Sequence, residues 1–201
     1  MDKLIEGYRR FRATGWPERR ALFEKLAKEG QSPRAMVISC ADSRADPAII
    51  FDAGPGELFV VRNVAAIVPP FEPDGKYHGT SAALEYAVNV LEVPALIVLG
   101  HAMCGGVGAL LGGVPDATPD FLGPWVRIAA AARRRVLECA PADPQALAEQ
   151  EVVKLSLDNL LSFPWIDRRV AAGKLKLHGA KFDIRTGALS ILQPDGSFAE
   201  A

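Results

Sequence analysis

The chain of 201 residues is 49% hydrophobic and 23% charged, enough apolar material for one packed core and too much for a disordered or fibrous chain. With 23 Lys and Arg against 24 Asp and Glu the formal net charge is -1, so no global basic field exists to hold nucleic acid or an anionic membrane. No apolar run approaches the ~20 residues that span a bilayer, and the N-terminal stretch carries no apolar signal core, which makes the cytoplasm the expected address. Three cysteines, Cys40, Cys104 and Cys139, fit free thiols better than a disulfide framework.

No internal repeat or long linker interrupts the chain. Residues 1–30 read as a charged helical arm, with Pro17 at a helix start, Gly30 at a stop and an apolar stripe of Leu22, Phe23 and Leu26. Residues 31–201 read as a single α/β domain. Within it, Ala35 to Cys40 is a buried strand, and Glu57 to Val61 is a second that ends near Arg62. Thr80 is placed to cap a helix from Ser81 to Leu91, and Pro94 precedes a third buried strand that ends at Gly100-His101. Further helices are expected over Pro124 to Glu138, from an Asp143 cap over Pro144 to Leu161, and over Trp165 to Ala172 before Gly173. The tail alternates from Leu175, turns at Thr186-Gly187 and returns through Ala188 to Leu192, a hairpin at an edge of the sheet.

Strands that are apolar on both faces and separated by helices predict a mostly parallel central sheet of Rossmann-like order with flanking helices, an antiparallel C-terminal edge hairpin and the N-terminal helical arm. Such sheets carry their sites beyond the carboxyl ends of the strands, where Cys40 and His101 fall. Cys40-Ala-Asp42-Ser-Arg44 is followed, 61 residues after Cys40, by His101-Ala-Met-Cys104. Two thiols and one imidazole are zinc ligand types, and three protein ligands leave a fourth tetrahedral position open for water. Asp42 and Arg44, two apart, can share a side of extended backbone and form a bidentate pair. That pair would orient a zinc-bound hydroxide towards a substrate carbon. Gly105 and Gly106 can present backbone N–H groups to an anion at a helix start. The glycines from 105 to 112 miss the spacing of a dinucleotide loop. Arg133 to Arg135 read as a solvated helix end, and Cys139, His78 and His178 as structural or surface residues.

The two zinc motifs resemble the signature of the β-class carbonic anhydrases. The likeness extends through Pro55-Gly-Glu-Leu-Phe-Val-Val-Arg-Asn-Val-Ala, Val68-Pro-Pro-Phe, Ala83-Leu-Glu-Tyr-Ala-Val, Cys104-Gly-Gly and Leu177-His-Gly, over about residues 31 to 192. It implies a zinc enzyme for CO₂ + H₂O ⇌ HCO₃⁻ + H⁺, with one Zn²⁺ per subunit on Cys40, His101 and Cys104, the Asp42–Arg44 dyad, and a homodimer or a higher homo-oligomer of dimers. By the same match Gln31 contacts substrate, Phe59 and Val64 form the apolar wall for CO₂, and Tyr86 reaches the partner subunit's pocket. One bacterial branch adds a non-catalytic bicarbonate site with a Trp and a Tyr where this chain has Val37 and Phe182. Only its arginine is matched, by Arg62, so an open site without that pocket is expected. Two thiolates donate more charge to the ion than imidazoles do, so activity is expected to rise towards alkaline pH. Two alternatives share the motif: a zinc hydrolase of another heterocumulene, CS₂ or COS, and a non-catalytic domain that senses bicarbonate.

Overall fold

The computed structural model describes residues 1–114, 118 and 120–201. The chain opens on α1 (Asp2–Arg10), which runs through a π turn, Phe11–Gly15, directly into α2 (Trp16–Glu29). The expected start at Pro17 is therefore an interior position. A proline inside a helix removes one hydrogen bond and crowds the carbonyl four residues back, and the wider π turn just before Pro17 relieves both. Gly30 does end the helix, at φ 82°, with its N–H donating to Leu26 O. No residue of α1 or α2 is buried; Leu26 touches the body at Gly56, where a Cβ would fall 2.7 Å from its side chain.

Strand β1 (Ala35–Cys40) is buried along its whole length. It is followed by α3 (Pro47–Ile50), whose Asp46 cap accepts from Ala48 N, by β2 (Leu58–Asn63), and by α4 (Gly79–Glu85), which continues into a π turn at Tyr86–Val90. The α4 helix begins before Thr80, because the Thr80 hydroxyl is taken by Asn63 Nδ2 at 3.2 Å instead of capping. Then come β3 (Ala95–His101) and α5 (Gly105–Gly112). The helix expected over Pro124 to Glu138 is two pieces, α6 (Leu122–Arg127) and α7 (Ala130–Cys139). Trp125 is held by Val64 O at 2.8 Å, and the chain beyond it tightens into three-residue bonds at Ile128 and Ala129. Asp143 caps α8 (Pro144–Leu161) through Ala146 N as expected, and α9 (Pro164–Ala171) leads to β4 (Lys176–Phe182), β5 (Leu189–Leu192) and β6 (Phe198–Glu200).

The sheet order is β2-β1-β3-β4-β5-β6, parallel from β2 through β4 and antiparallel at β5 and β6. The expected hairpin is present, but β6 forms the edge beyond it; a three-residue strand carries too little pattern to announce itself. The chain moves from β1 outward to β2 and returns across β1 to β3. The direction of winding therefore reverses between β1 and β3, the place where doubly wound sheets open a crevice at their carboxyl ends. Met36, Ile38, Leu96 and Val98 pack under Leu84, Leu160, Phe163 and Ile166 on one face, while Val37, Leu99 and Ala180 pack on the other. Gly100 and Gly179 lie beneath Val153 of α8, and a Cβ at either would come within 2.8 or 2.9 Å of that side chain. Their bare backbones let α8 press against β3 and β4. Among the described residues no helix is long and apolar enough to cross a membrane.

Candidate metal centre

Cys40 closes β1 and His101 closes β3, side by side at the crevice, and Cys104 stands at the cap position of α5. All three are buried, and Cys40 Sγ, His101 Nε2 or Nδ1, and Cys104 Sγ lie within 4.8 Å of one another. The two sulfurs are 3.8 Å apart. A tetrahedron with zinc–sulfur bonds of about 2.3 Å has an edge of about 3.8 Å. His101 is 1% exposed, its Nδ1 lies 2.9 Å from Ala102 O and its Nε2 has no hydrogen-bond partner among the described residues. With Nδ1–H donating to that carbonyl, the Nε2 lone pair is left free in a buried pocket beside two sulfurs, the arrangement of a histidine ligand and its orienting acceptor. The donor set therefore fits zinc, which takes sulfur and nitrogen ligands at three protein positions and keeps a fourth open.

The electrostatics agree with a cation. The hydrogen bond between the two sulfurs is the main influence pulling the Cys40 thiol down and pushing the Cys104 thiol up. Backbone N–H groups of Asp42 and Ala65 face Cys40 Sγ, and those of Gly106 and Val107 face Cys104 Sγ, favouring thiolates at both. Burial works against charge on His101, but the Cys40 sulfur and the Ala102 carbonyl outweigh it and raise the imidazole above its ordinary value.

Asp42 and Arg44 meet as expected, though in a turn rather than along extended backbone. Arg44 Nε donates to Asp42 Oδ1 at 2.9 Å and Nη2 to Oδ2 at 2.7 Å, while Arg44 N closes the turn on Oδ1 at 2.9 Å. These bonds hold the Asp42 carboxyl well below the usual carboxylate range. Asp42 Oδ2 lies 3.8 Å from His101 Nε2, at the mouth of the metal pocket. Arg44 Nη2 also donates to Met103 O at 3.2 Å, tying the dyad to the ligand loop. Arg62 grips the same region from beneath, through Cys40 O at 2.9 Å, Asp42 O at 2.6 Å and Asp46 Oδ2 at 2.9 Å.

The expected substrate residues divide into two groups. Val64 and Gly105 flank the metal centre: Val64 packs against Gly106, next to Gly105 at the start of α5. Phe59 is paired with Met36, four residues before the Cys40–Asn63 pair, which puts it ~13 Å down the strand. There it lies against Tyr86, ring centroids 5.8 Å apart, and Tyr86 is 46% exposed. Gln31 is exposed between α2 and β1. Phe59, Tyr86 and Gln31 are thus not gathered at the metal pocket with Val64. A cavity of about 900 Å³, lined by Val64, Pro69, Tyr77, His78, Phe121 and Trp125 among others, opens beside the pocket.

Residues that carry no motif hold the strained backbone around these ligands. Ala65 (φ 65°) and Ala66 (φ 55°) are left-handed without being glycines; Ser156 Oγ donates to Ala66 O at 3.3 Å and accepts from Val68 N at 3.1 Å. Met103 is left-handed as well (φ 55°), immediately before Cys104. Cys104 N donates to Glu149 Oε1 at 3.2 Å, and Gln145 Nε2 donates to both Cys104 O at 3.0 Å and Glu149 Oε1 at 2.9 Å. Glu149 and Gln145 sit four apart on α8, a spacing indistinguishable from any polar turn of a helix until the fold brings it to Cys104.

A switch-point crevice with a Cys-His-Cys metal pocket defines a class of α/β metalloprotein, and comparison with known proteins makes the class specific. A family model described as carbonic anhydrase matches residues 35–189. Beta carbonic anhydrase 3 of Arabidopsis thaliana is 35% identical over 97% of this chain and 78% of its own. The solved structure of the β-carbonic anhydrase CcaA superposes with a TM-score of 0.93 at 35% identity, over 100% of this chain and 92% of that one. One of two tetrameric β-carbonic anhydrases of Sordaria macrospora superposes with a TM-score of 0.82 at 28% identity, over 98% of each chain. The chain belongs to the carbonic anhydrase family, in its β class, a family of enzymes that hydrate CO₂.

Proposed function

We propose that the protein is a zinc enzyme for the reversible hydration of CO₂ to bicarbonate and a proton, with Cys40, His101 and Cys104 holding one Zn²⁺ per subunit. The observation that carries this reading is the buried, unpartnered Nε2 of His101 within 4.8 Å of two sulfurs whose own spacing suits one tetrahedral ion. Zinc, when bound, supplies Lewis acidity that turns water into a nucleophile near neutral pH. The chain's own residues do the rest. Asp42, kept ionised by Arg44, accepts a hydrogen bond at Oδ2 and orients the attacking oxygen; because both carboxylate oxygens are held by Arg44, the site stays open. CO₂ is uncharged and poor in hydrogen bonds, so the apolar side chain of Val64 is its fitting wall, and the N–H of Gly105 at the start of α5 favours the bicarbonate oxygens.

Phe59 of the edge strand β2 and Tyr86, which lies against it at the end of α4, complete the pocket of a second subunit, with Gln31 approaching from the arm junction. This division is what a homodimer requires, and the arm of residues 1–30 is the element that binds the dimer. The cytoplasm suits three free thiols. The experiment is stopped-flow CO₂ hydration at pH 8.5 on protein of measured zinc content. Fast turnover that is lost in Cys40→Ser together with the zinc is the expected result. A zinc-loaded wild type without turnover overturns the proposal and points to CS₂, COS or bicarbonate sensing.

A further inference from the structure

Behind Cys104 lies a buried polar network that neither the motifs nor the reaction calls for. Glu149, whose side chain is 2% exposed, accepts from Cys104 N and Gln145 Nε2 on Oε1 and pairs Oε2 with Lys181 Nζ of β4 at 2.8 Å. The Lys181 side chain is itself 13% exposed and reaches Ala146 O at 3.4 Å. Gln145 spends both of its amide protons here, one on Cys104 O and one on Glu149. The N–H and the C=O of one residue are thus both held by side chains of a single helix.

Stability is a poor explanation for this arrangement. A buried ion pair gains little over apolar residues of the same volume, because desolvation cancels most of the attraction. The neighbourhood is otherwise apolar, with Val152 and Val153 beside it on α8 and Gly100 and Gly179 beneath. The network meets instead the one residue whose position is hardest to hold. Cys104 follows Met103, whose left-handed backbone costs of order 1–3 kcal/mol and persists only where the surroundings over-determine it. Arg44 holds Met103 O from the substrate side, and Gln145 and Glu149 hold Cys104 from the opposite side. Lys181 neutralises the carboxylate, which would otherwise stand as an unpaired charge beside two thiolates.

We infer that Gln145, Glu149 and Lys181 are positioning residues for the third metal ligand: they lock the strained His101–Cys104 loop so that Cys104 Sγ meets the ion at ligand distance. The inference rests on the zinc reading of the site but not on its turnover. It predicts that the network sets metal retention and ligand geometry more than it sets folding.

The test uses two variants that leave no buried charge unpaired, Gln145→Leu and the double variant Glu149→Leu with Lys181→Met. Zinc affinity is measured by chelator competition, and the cobalt-substituted proteins are compared by their thiolate-to-metal and d–d absorption bands. Both variants are expected to hold zinc about 10- to 100-fold more weakly, with shifted cobalt bands, while the metal-free proteins melt close to wild type. Zinc affinity within twofold of wild type and unchanged cobalt spectra, with only the melting temperature lowered, overturn the inference and make the network structural. A wild type that retains zinc but hydrates no CO₂ defeats the proposed function alone, because affinity and spectra still decide the role of the network.

Discussion

Arg44 shows how much a single side chain can be asked to do at this site. Its guanidinium makes a two-pronged bond to Asp42 and a third contact to Met103 O, so it fixes the dyad and the ligand loop together. Arg44→Leu is expected to lower CO₂ hydration about 10- to 100-fold at equal zinc loading. Arg44→Lys should recover little, since an ammonium cannot form the planar fork. Stopped-flow assays on both variants decide this, and near-full activity in Arg44→Lys would show that charge alone suffices. The site was legible at this scale wherever chemistry and local spacing coincide: Cys40, Asp42, Arg44, His101 and Cys104 lie in two short motifs and meet in space as expected. Gln145, Glu149, Lys181 and Ser156 were not legible, because what makes them special is the tertiary contact of α8. The sequence marks Arg62 only as the one matched residue of a bicarbonate site that is otherwise missing; its bonds to the carbonyls of Cys40 and Asp42 are visible only in the fold.

The elements are legible in the sequence where pattern and cap agree. The Asp143 cap, the buried strands β1 and β3, and the Thr186-Gly187 turn all carry signals within a few residues of one another. Local pattern is silent where a distant partner decides the matter: the Thr80 hydroxyl goes to Asn63, and Trp125 fastened to Val64 splits α6 from α7. The join between α7 and α8 carries its own test. Glu151 on α8 is nearly buried and receives Arg135 of α7 at 2.8 Å and Lys154 at 2.9 Å. Burial pushes its carboxyl up, but Lys154 and Arg135 together outweigh burial and bring it net below the ordinary glutamate value. A carboxyl depressed on folding adds stability above its unfolded pKa, and that stability is lost as pH falls through the folded value. Glu151→Gln should therefore cost roughly 1–3 kcal/mol at pH 7. In thermal melts of metal-free protein the deficit should shrink below about pH 4.5. A deficit that stays constant down to pH 3 would mean that shape, not charge, is what Glu151 contributes.

At the scale of the molecule the parallel sheet places the metal pocket at one end, leaves the outer edge of β2 unpaired among the described residues and leaves the helical arm largely exposed in the single chain. Leu4, Tyr8 and Phe11 are exposed on an element that buries none of its own residues. In the dimer proposed above these side chains lie against the second subunit. Replacing all three by serine is expected to shift the protein to monomers in sedimentation velocity and to reduce turnover with it, because Phe59 and Tyr86 then face solvent. A variant that remains dimeric with full activity would remove the arm from the interface.

The π turn at Phe11–Gly15 gives that arm a property its sequence disguises. Leu4, Ile5 and Tyr8 are repeated eighteen residues later by Leu22, Phe23 and Leu26, and eighteen residues are five full turns of an uninterrupted α-helix. On such a helix the two trios would share one stripe. The extra residue taken up by the π turn delays the second half by about 100°, so the trios point in different directions. Leu26 thereby seats on Gly56 of its own body while Leu4 and Tyr8 look elsewhere. One inserted residue thus gives a single rod two phases, one turned to the body of its own chain and one free for the second subunit proposed above.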